Sequence, residues 1–147
     1  MKSDLEKLLY NSSLALSGTS FGIGVDVEIL EGWKDRLQNQ DFLKANFSPQ
    51  EIEYCQTTHH PQQSLLGRWC AKEAVLKAMS SFKPHEAIVR GFGQDLSEVE
   101  IIPSAVKTPL CILHGKLEQR RIERGIQQIK ISISHSEQYA IAVAICL

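Results

Sequence analysis

The C-terminal end of the chain constrains the fold most. Residues 128–134 and 139–146 both alternate with period two, the pattern of strands whose successive side chains face opposite ways. In the first run Ile129, Ile131 and Ile133 alternate with Lys130, Ser132 and Ser134, giving one dry and one polar face. In the second, Tyr139, Ile141, Val143 and Ile145 alternate with Ala140, Ala142 and Ala144. Bulky side chains on one face and small ones on the other predict burial on both sides, with a helix lying close on the alanine side.

The rest of the chain supplies the partners for this hairpin. FGIGVDVEIL at 21–30 is a β-branched run and reads as a strand, and further strands are expected at 98–102 and 110–114. Helices are expected at 32–46, 49–58, 61–79 and 115–125. The second opens with Ser48 as N-cap, Pro49 at the first position and Glu51 at the third, and the last is closed by Gly125. Strands grouped with helices between them predict an α+β fold with a largely antiparallel sheet packed with helices. Residues 1–20 read as a lead-in segment, and 21–147 as one domain.

Composition narrows the function classes. With 43% hydrophobic and 22% charged residues, the 147-residue chain is an ordinary globular one that can bury a core without disulfides. A net charge of -1 provides no global basic field for nucleic acid. The four cysteines form no C-x-x-C pair and read as small buried hydrophobes, which suits a reducing compartment. No stretch approaches the ~20 apolar residues of a membrane span, and the N-terminus lacks a signal-peptide core. A cytoplasmic protein with neither nucleic acid nor membrane as partner is expected.

The charged residues are the informative anomaly. Advancing about 100° per residue, Leu65, Leu76, Trp69, Leu66 and Cys70 share an arc of roughly 140° on the long helix, and Glu73 and Lys77 fall inside it. Charges set in an apolar stripe must be paired, metal-bound or turned to a cleft. This helix alone admits both a cleft and a salt bridge at a subunit interface. Asp26 and Glu28, two apart on a strand otherwise built of Ile, Val, Phe and Gly, add two carboxylates on one face. Three carboxylates suit a hard divalent ion such as Mg²⁺, which takes one or two protein carboxylates together with substrate phosphates. Gly22 and Gly24 on the same strand mark close backbone packing. The adjacent His59 and His60 read as a solvent-exposed pair, and His135 as a turn residue able to reach a cleft. No P-loop, dinucleotide-binding glycine motif or G-x-S-x-G elbow is present.

Three blocks, GIGVDVEIL at 22–30, GRWCAKEAVLKAM at 67–79 and ISISHSEQYAIAVA at 131–144, together resemble the phosphopantetheinyl transferase superfamily in content, order and spacing. FSPQEIEYC at 47–55 is similar to the segment that precedes the second block. The chain looks most like the short holo-acyl-carrier-protein-synthase group, and within it the transferase domain of fungal-type fatty acid synthases. The resemblance implies a Mg²⁺-dependent transfer of phosphopantetheine from coenzyme A to a serine of an acyl carrier protein. It carries the metal aspartate to Asp26, the second carboxylate ligand to Glu73, a third to Glu28 and a phosphate-contacting lysine to Lys77. Glu73 is also the expected general base, directly or through a metal-bound water. Arg68 and Lys72 match positions near the coenzyme A phosphates, and His135 a histidine on the nucleotide side of the cleft. The 80–93 loop replaces the family's glycine-rich stretch, so Lys83 and Arg90 are the candidates there. Because one copy of the motif is half of a larger transferase, the resemblance also implies a homotrimer with sites between subunits. Lys34 and Arg36 are candidates for meeting an acidic carrier. A catalytically silent module of a megasynthase, or a different Mg²⁺-dependent pyrophosphate enzyme, is the alternative class.

Overall fold

The computed structural model describes residues 20–82 and 96–147. The expected lead-in segment up to residue 19, and both Lys83 and Arg90, lie outside the described residues. Strand β1 (Gly22–Ile29) is followed by a 3-10 turn (Leu30–Trp33), α1 (Lys34–Gln38), α2 (Gln40–Asn46), α3 (Pro49–Gln56) and the long α4 (Pro61–Ser81). After a second 3-10 turn (Leu96–Glu98) come β2 (Val99–Pro103), β3 (Pro109–Leu113), α5 (Gly115–Arg124), β4 (Ile129–His135) and β5 (Tyr139–Cys146). The strands form a three-stranded antiparallel sheet in the order β1-β5-β4 and a separate antiparallel β2-β3 pair. This is the expected α+β fold.

Local chemistry places most element ends. Ser48 Oγ accepts from Glu51 N while Glu51 Oε2 accepts from Ser48 N, a complete capping box at the start of α3. Gly125 closes α5 at φ 74°, a left-handed conformation that glycine adopts without a Cβ penalty. The single helix expected over 32–46 is three pieces. Asn39 is extended (φ -83°, ψ 115°), and its side chain accepts from Phe42 N to cap α2. An asparagine whose side chain satisfies an amide of the next turn favours such a break over continued helix.

Helix α4 lies across the inner face of the three-stranded sheet and is the centre of the core. The sheet offers Ala140, Ala142 and Ala144 from β5, all fully buried, and Gly22 and Gly24 from β1. The helix answers with Gly67, Cys70, Ala71, Ala74 and Ala78. A Cβ on Gly24 would sit 1.9 Å from the Ala74 carbonyl oxygen, and one on Gly22 2.0 Å from that of Ala78. The helix backbone therefore rides directly on the strand, the close packing expected of the two glycines.

Among the described residues nothing covers the opposite face of the sheet. Ile23, Val25, Val27 and Ile29 of β1 stand beside Ile145, Val143, Ile141 and Tyr139 of β5 in register. Most of these are exposed, from 38% at Ile145 to 58% at Val27. Burial on both sides of β5, expected from its alternation, is met on the alanine side only, because no described element packs on the other.

Candidate active site

The close approach of α4 to β1 assembles the site. On β1 the residues facing the helix run Gly22, Gly24, Asp26, Glu28. The two glycines seat the helix, and the next two positions on that face present carboxylates beside Glu73 and Lys77. Lys77 Nζ donates to Asp26 Oδ1 at 2.8 Å and to the Val25 carbonyl at 2.9 Å. Asp26 Oδ2 is buried and has no hydrogen-bond partner among the described residues. Burial, then the charge of Asp26, raises the pKa of Glu73; Lys77 pulls it the other way. The Asp26 hydrogen bond raises that of Lys77. Glu28 Oε2 accepts from Trp33 Nε1 at 2.9 Å.

Excess negative charge, an orphaned carboxylate oxygen and a carboxyl whose proton affinity is raised are what a divalent cation would relieve. The site is not a ready-made cage, however. Among the described residues no three His, Cys, Asp or Glu side chains are grouped to hold a metal by themselves. The expected trio of Asp26, Glu28 and Glu73 thus does not form a closed ligand set, and Lys77 and Trp33 each occupy one carboxylate oxygen. Such an open arrangement fits a cation that takes the rest of its shell from substrate phosphates and water.

Two expected phosphate contacts part company in the structure. Lys72 is fully buried, and its Nζ donates to Glu51 Oε2 at 2.8 Å, to the Asn46 carbonyl at 2.7 Å and to the Leu96 carbonyl at 3.2 Å. Glu51 Oε1 in turn accepts from Ile101 N at 2.9 Å. All three ammonium protons are committed, so Lys72 is a structural tie between α2, α3, α4 and β2 rather than a phosphate contact. Sequence had shown Glu51 only as a cap, because nothing local reveals that its carboxylate also meets Lys72 and β2.

Arg68 does reach a cleft. It lines one of about 410 Å³ together with Tyr54, His59, His60, Lys107, Pro109, Ile133 and His135. The guanidinium stacks 4.4 Å from the Tyr54 ring, and Nε donates to the Ile101 carbonyl at 3.2 Å. His59 and His60 are exposed as expected, yet both face this cleft. Five cationic or protonatable side chains converge there. Lys107 had no sequence signal; it sits in the β2-β3 turn at φ 63°. The cleft lies toward β4 and the carboxylates toward β1, the opposite edges of the three-stranded sheet.

With that geometry in hand, comparison with known proteins is direct. The model of the 4'-phosphopantetheinyl transferase superfamily matches residues 22–144. The chain belongs to that superfamily. Fatty acid synthase subunit alpha of Candida albicans is 39% identical over 130 residues, 88% of this chain and 6% of that protein. The same subunit of Saccharomyces cerevisiae is 38% identical over 124 residues, 84% of this chain and again 6% of the relative. The chain therefore spans only a small part of these curated relatives. Among solved structures, the Chronobacterium ammoniagenes ACPS–CoA complex has a TM-score of 0.72 at 26% identity, covering 87% of this chain and 97% of that one. The holo-[acyl-carrier-protein] synthase of Helicobacter pylori, in complex with coenzyme A, has a TM-score of 0.68 at 26% identity, covering 85% and 99%. By family and fold this superfamily member is a 4'-phosphopantetheinyl transferase. No described helix is long and apolar enough to cross a membrane.

Proposed function

We propose that this transferase moves the phosphopantetheine arm of coenzyme A to a serine of an acyl carrier protein and releases 3',5'-ADP. The observation that carries the reading is the arrangement of Asp26, Glu73 and Lys77 in the groove between β1 and α4. It pairs a half-buried carboxylate of raised proton affinity, suited to a general base, with a cation one turn along the same helix. In the reaction the serine oxygen attacks the β-phosphorus while its proton passes to a Glu73 carboxylate oxygen. The bond from that phosphorus to the bridging oxygen breaks, and 3',5'-ADP departs with the electron pair. Lys77, half-exposed at 52%, supplies positive charge where the leaving phosphate gains negative charge. Mg²⁺, held by Asp26, Glu28 and Glu73, supplies charge neutralisation at the pyrophosphate when bound.

The nucleotide end is assigned to the cleft of Arg68 and His135, where Lys107, His59 and His60 add positive or protonatable groups for phosphate. Cleft and carboxylates lie at opposite edges of one sheet, so a site built from both calls for two copies of the chain. The exposed apolar face of β1 and β5 supports an oligomer, and a homotrimer with shared sites is the assembly we propose. Lys34 and Arg36, on α1 after the 3-10 turn that follows β1, are the proposed contacts for an acidic carrier, in a reducing, cytoplasmic setting. The test is to mix the chain with coenzyme A, Mg²⁺ and apo carrier protein and weigh the carrier by mass spectrometry. The wild type gives the phosphopantetheine adduct, and Glu73→Gln gives none while keeping its circular dichroism spectrum. Near-normal adduct formation by that variant refutes the role of Glu73.

A further inference from the structure

One contact at the carboxylate cluster comes from a residue outside all three sequence blocks. Trp33 Nε1 donates to Glu28 Oε2 at 2.9 Å, across the 3-10 turn that ends β1. The indole is clamped on several sides. It is 8% exposed, its ring centroid lies 4.7 Å from that of Trp69 and 6.2 Å from that of Phe42, and the Arg36 guanidinium sits 4.9 Å from it. Trp69 in turn precedes Glu73 by one turn of α4.

An indole has a single donor and no acceptor, so a ring held this way directs its N–H along one line. Glu28 has three side-chain torsions and would otherwise sample many orientations on a half-buried strand position. Bound to Trp33 through Oε2, it keeps Oε1 for another partner, and Glu28 shares its strand face with Asp26.

The geometry points to Trp33 as a positioning residue that orients the Glu28 carboxylate toward Asp26 and Glu73 and thereby sets how tightly the cluster holds a divalent cation. This rests on the metal reading given under the proposed function. Donors that orient a ligating carboxylate from behind typically change metal affinity by 10–100-fold when removed. A buried indole also needs some acceptor for its N–H, so Glu28 could be merely the nearest one. The two roles separate in a double-mutant cycle.

Mn²⁺ binding to the full chain is measured by electron paramagnetic resonance, with coenzyme A present and absent. The four proteins are wild type, W33F, E28Q and W33F/E28Q, each checked by thermal unfolding. W33F is expected to weaken Mn²⁺ binding about tenfold, with little further loss when E28Q is already present. Equal losses from W33F in both backgrounds, or wild-type Mn²⁺ affinity in W33F, overturn the proposal. So does a wild type that binds no Mn²⁺ under either condition. Should W33F fail to fold, site-specific replacement of Trp33 by benzothienylalanine keeps the bicyclic ring, removes only the N–H and is read by the same criteria. Adduct formation on the carrier protein, followed separately, reports on the transferase reading and does not enter the cycle.

Discussion

Replacing Lys72 by methionine separates a structural tie from a substrate contact. The ammonium is fully buried and lies 2.8 Å from Glu51 Oε2. At an effective dielectric of 20, two unit charges that close attract by about 6 kcal/mol, most of it offset by the cost of removing both from water. Taking away one partner exposes that offset, because the other charge stays buried; such losses run to about 3–5 kcal/mol. Glu51 would keep its bonds from Ser48 N and Ile101 N, so the lower end, about 3 kcal/mol, is the expectation for K72M. For a chain of this length that lowers the melting temperature by roughly 6–12 °C. Urea unfolding followed by circular dichroism gives the free energy, and transfer rates are taken at temperatures where the variant is fully folded. Pairing K72M with E51Q removes the stranded charge and should recover part of the loss. A K72M protein within about 1 kcal/mol of wild type that nevertheless fails to transfer would refute the assignment and return Lys72 to the phosphates.

Three further outcomes follow from the same geometry. Gly24→Ala sets a methyl against helix backbone that cannot yield, since the nearest atoms are the Ala74 carbonyl oxygen at 1.9 Å and Ala78 N at 2.6 Å. It should cost about 3 kcal/mol in urea unfolding and separate β1 from α4, weakening transfer as well. Val27→Lys changes a side chain that is 58% exposed on the uncovered sheet face, so the monomer fold should survive. Sedimentation should show the proposed trimer of the wild type replaced by monomer, and an unchanged sedimentation coefficient counts against this face as the interface. In metal-free protein the Glu73 carboxyl, followed by carbon NMR, should titrate above the ordinary ~4.3, and Asp26→Asn should bring it down. A raised folded-state pKa means that protonation stabilises the fold, fully below the ordinary carboxylate range. That contribution fades as pH rises through the raised value. A midpoint at or below the ordinary range would contradict the burial and Asp26 repulsion seen at Glu73.

Much of this protein was legible in local pattern. The hairpin of β4 and β5, the capping box at Ser48, the glycine stop at Gly125 and the glycine-then-carboxylate face of β1 each depend on residues within one element. Their chemistry acts over a few ångströms of neighbouring chain, so sequence spacing reports it directly. The break at Asn39 was missed because a capping side chain and a continuing helix share the same local composition.

What only the tertiary structure decided involves partners far apart in sequence. Lys72 and Lys77 lie five residues apart on one helix and resemble each other in sequence. One is sealed against Glu51 and two carbonyls, while the other stands half-exposed on Asp26. The bond from Trp33 to Glu28, the cleft uniting Arg68 with Lys107 and His135, and the bare face of the sheet have the same origin. Sequence alone settles most of the elements apart from the break at Asn39, which face of each is apolar, and that carboxylates interrupt an apolar strand. Whether a given charge is buried, paired or open depends on the dielectric and the partners that packing places around it. Those are set by contacts spanning tens of residues, which no single window of sequence contains.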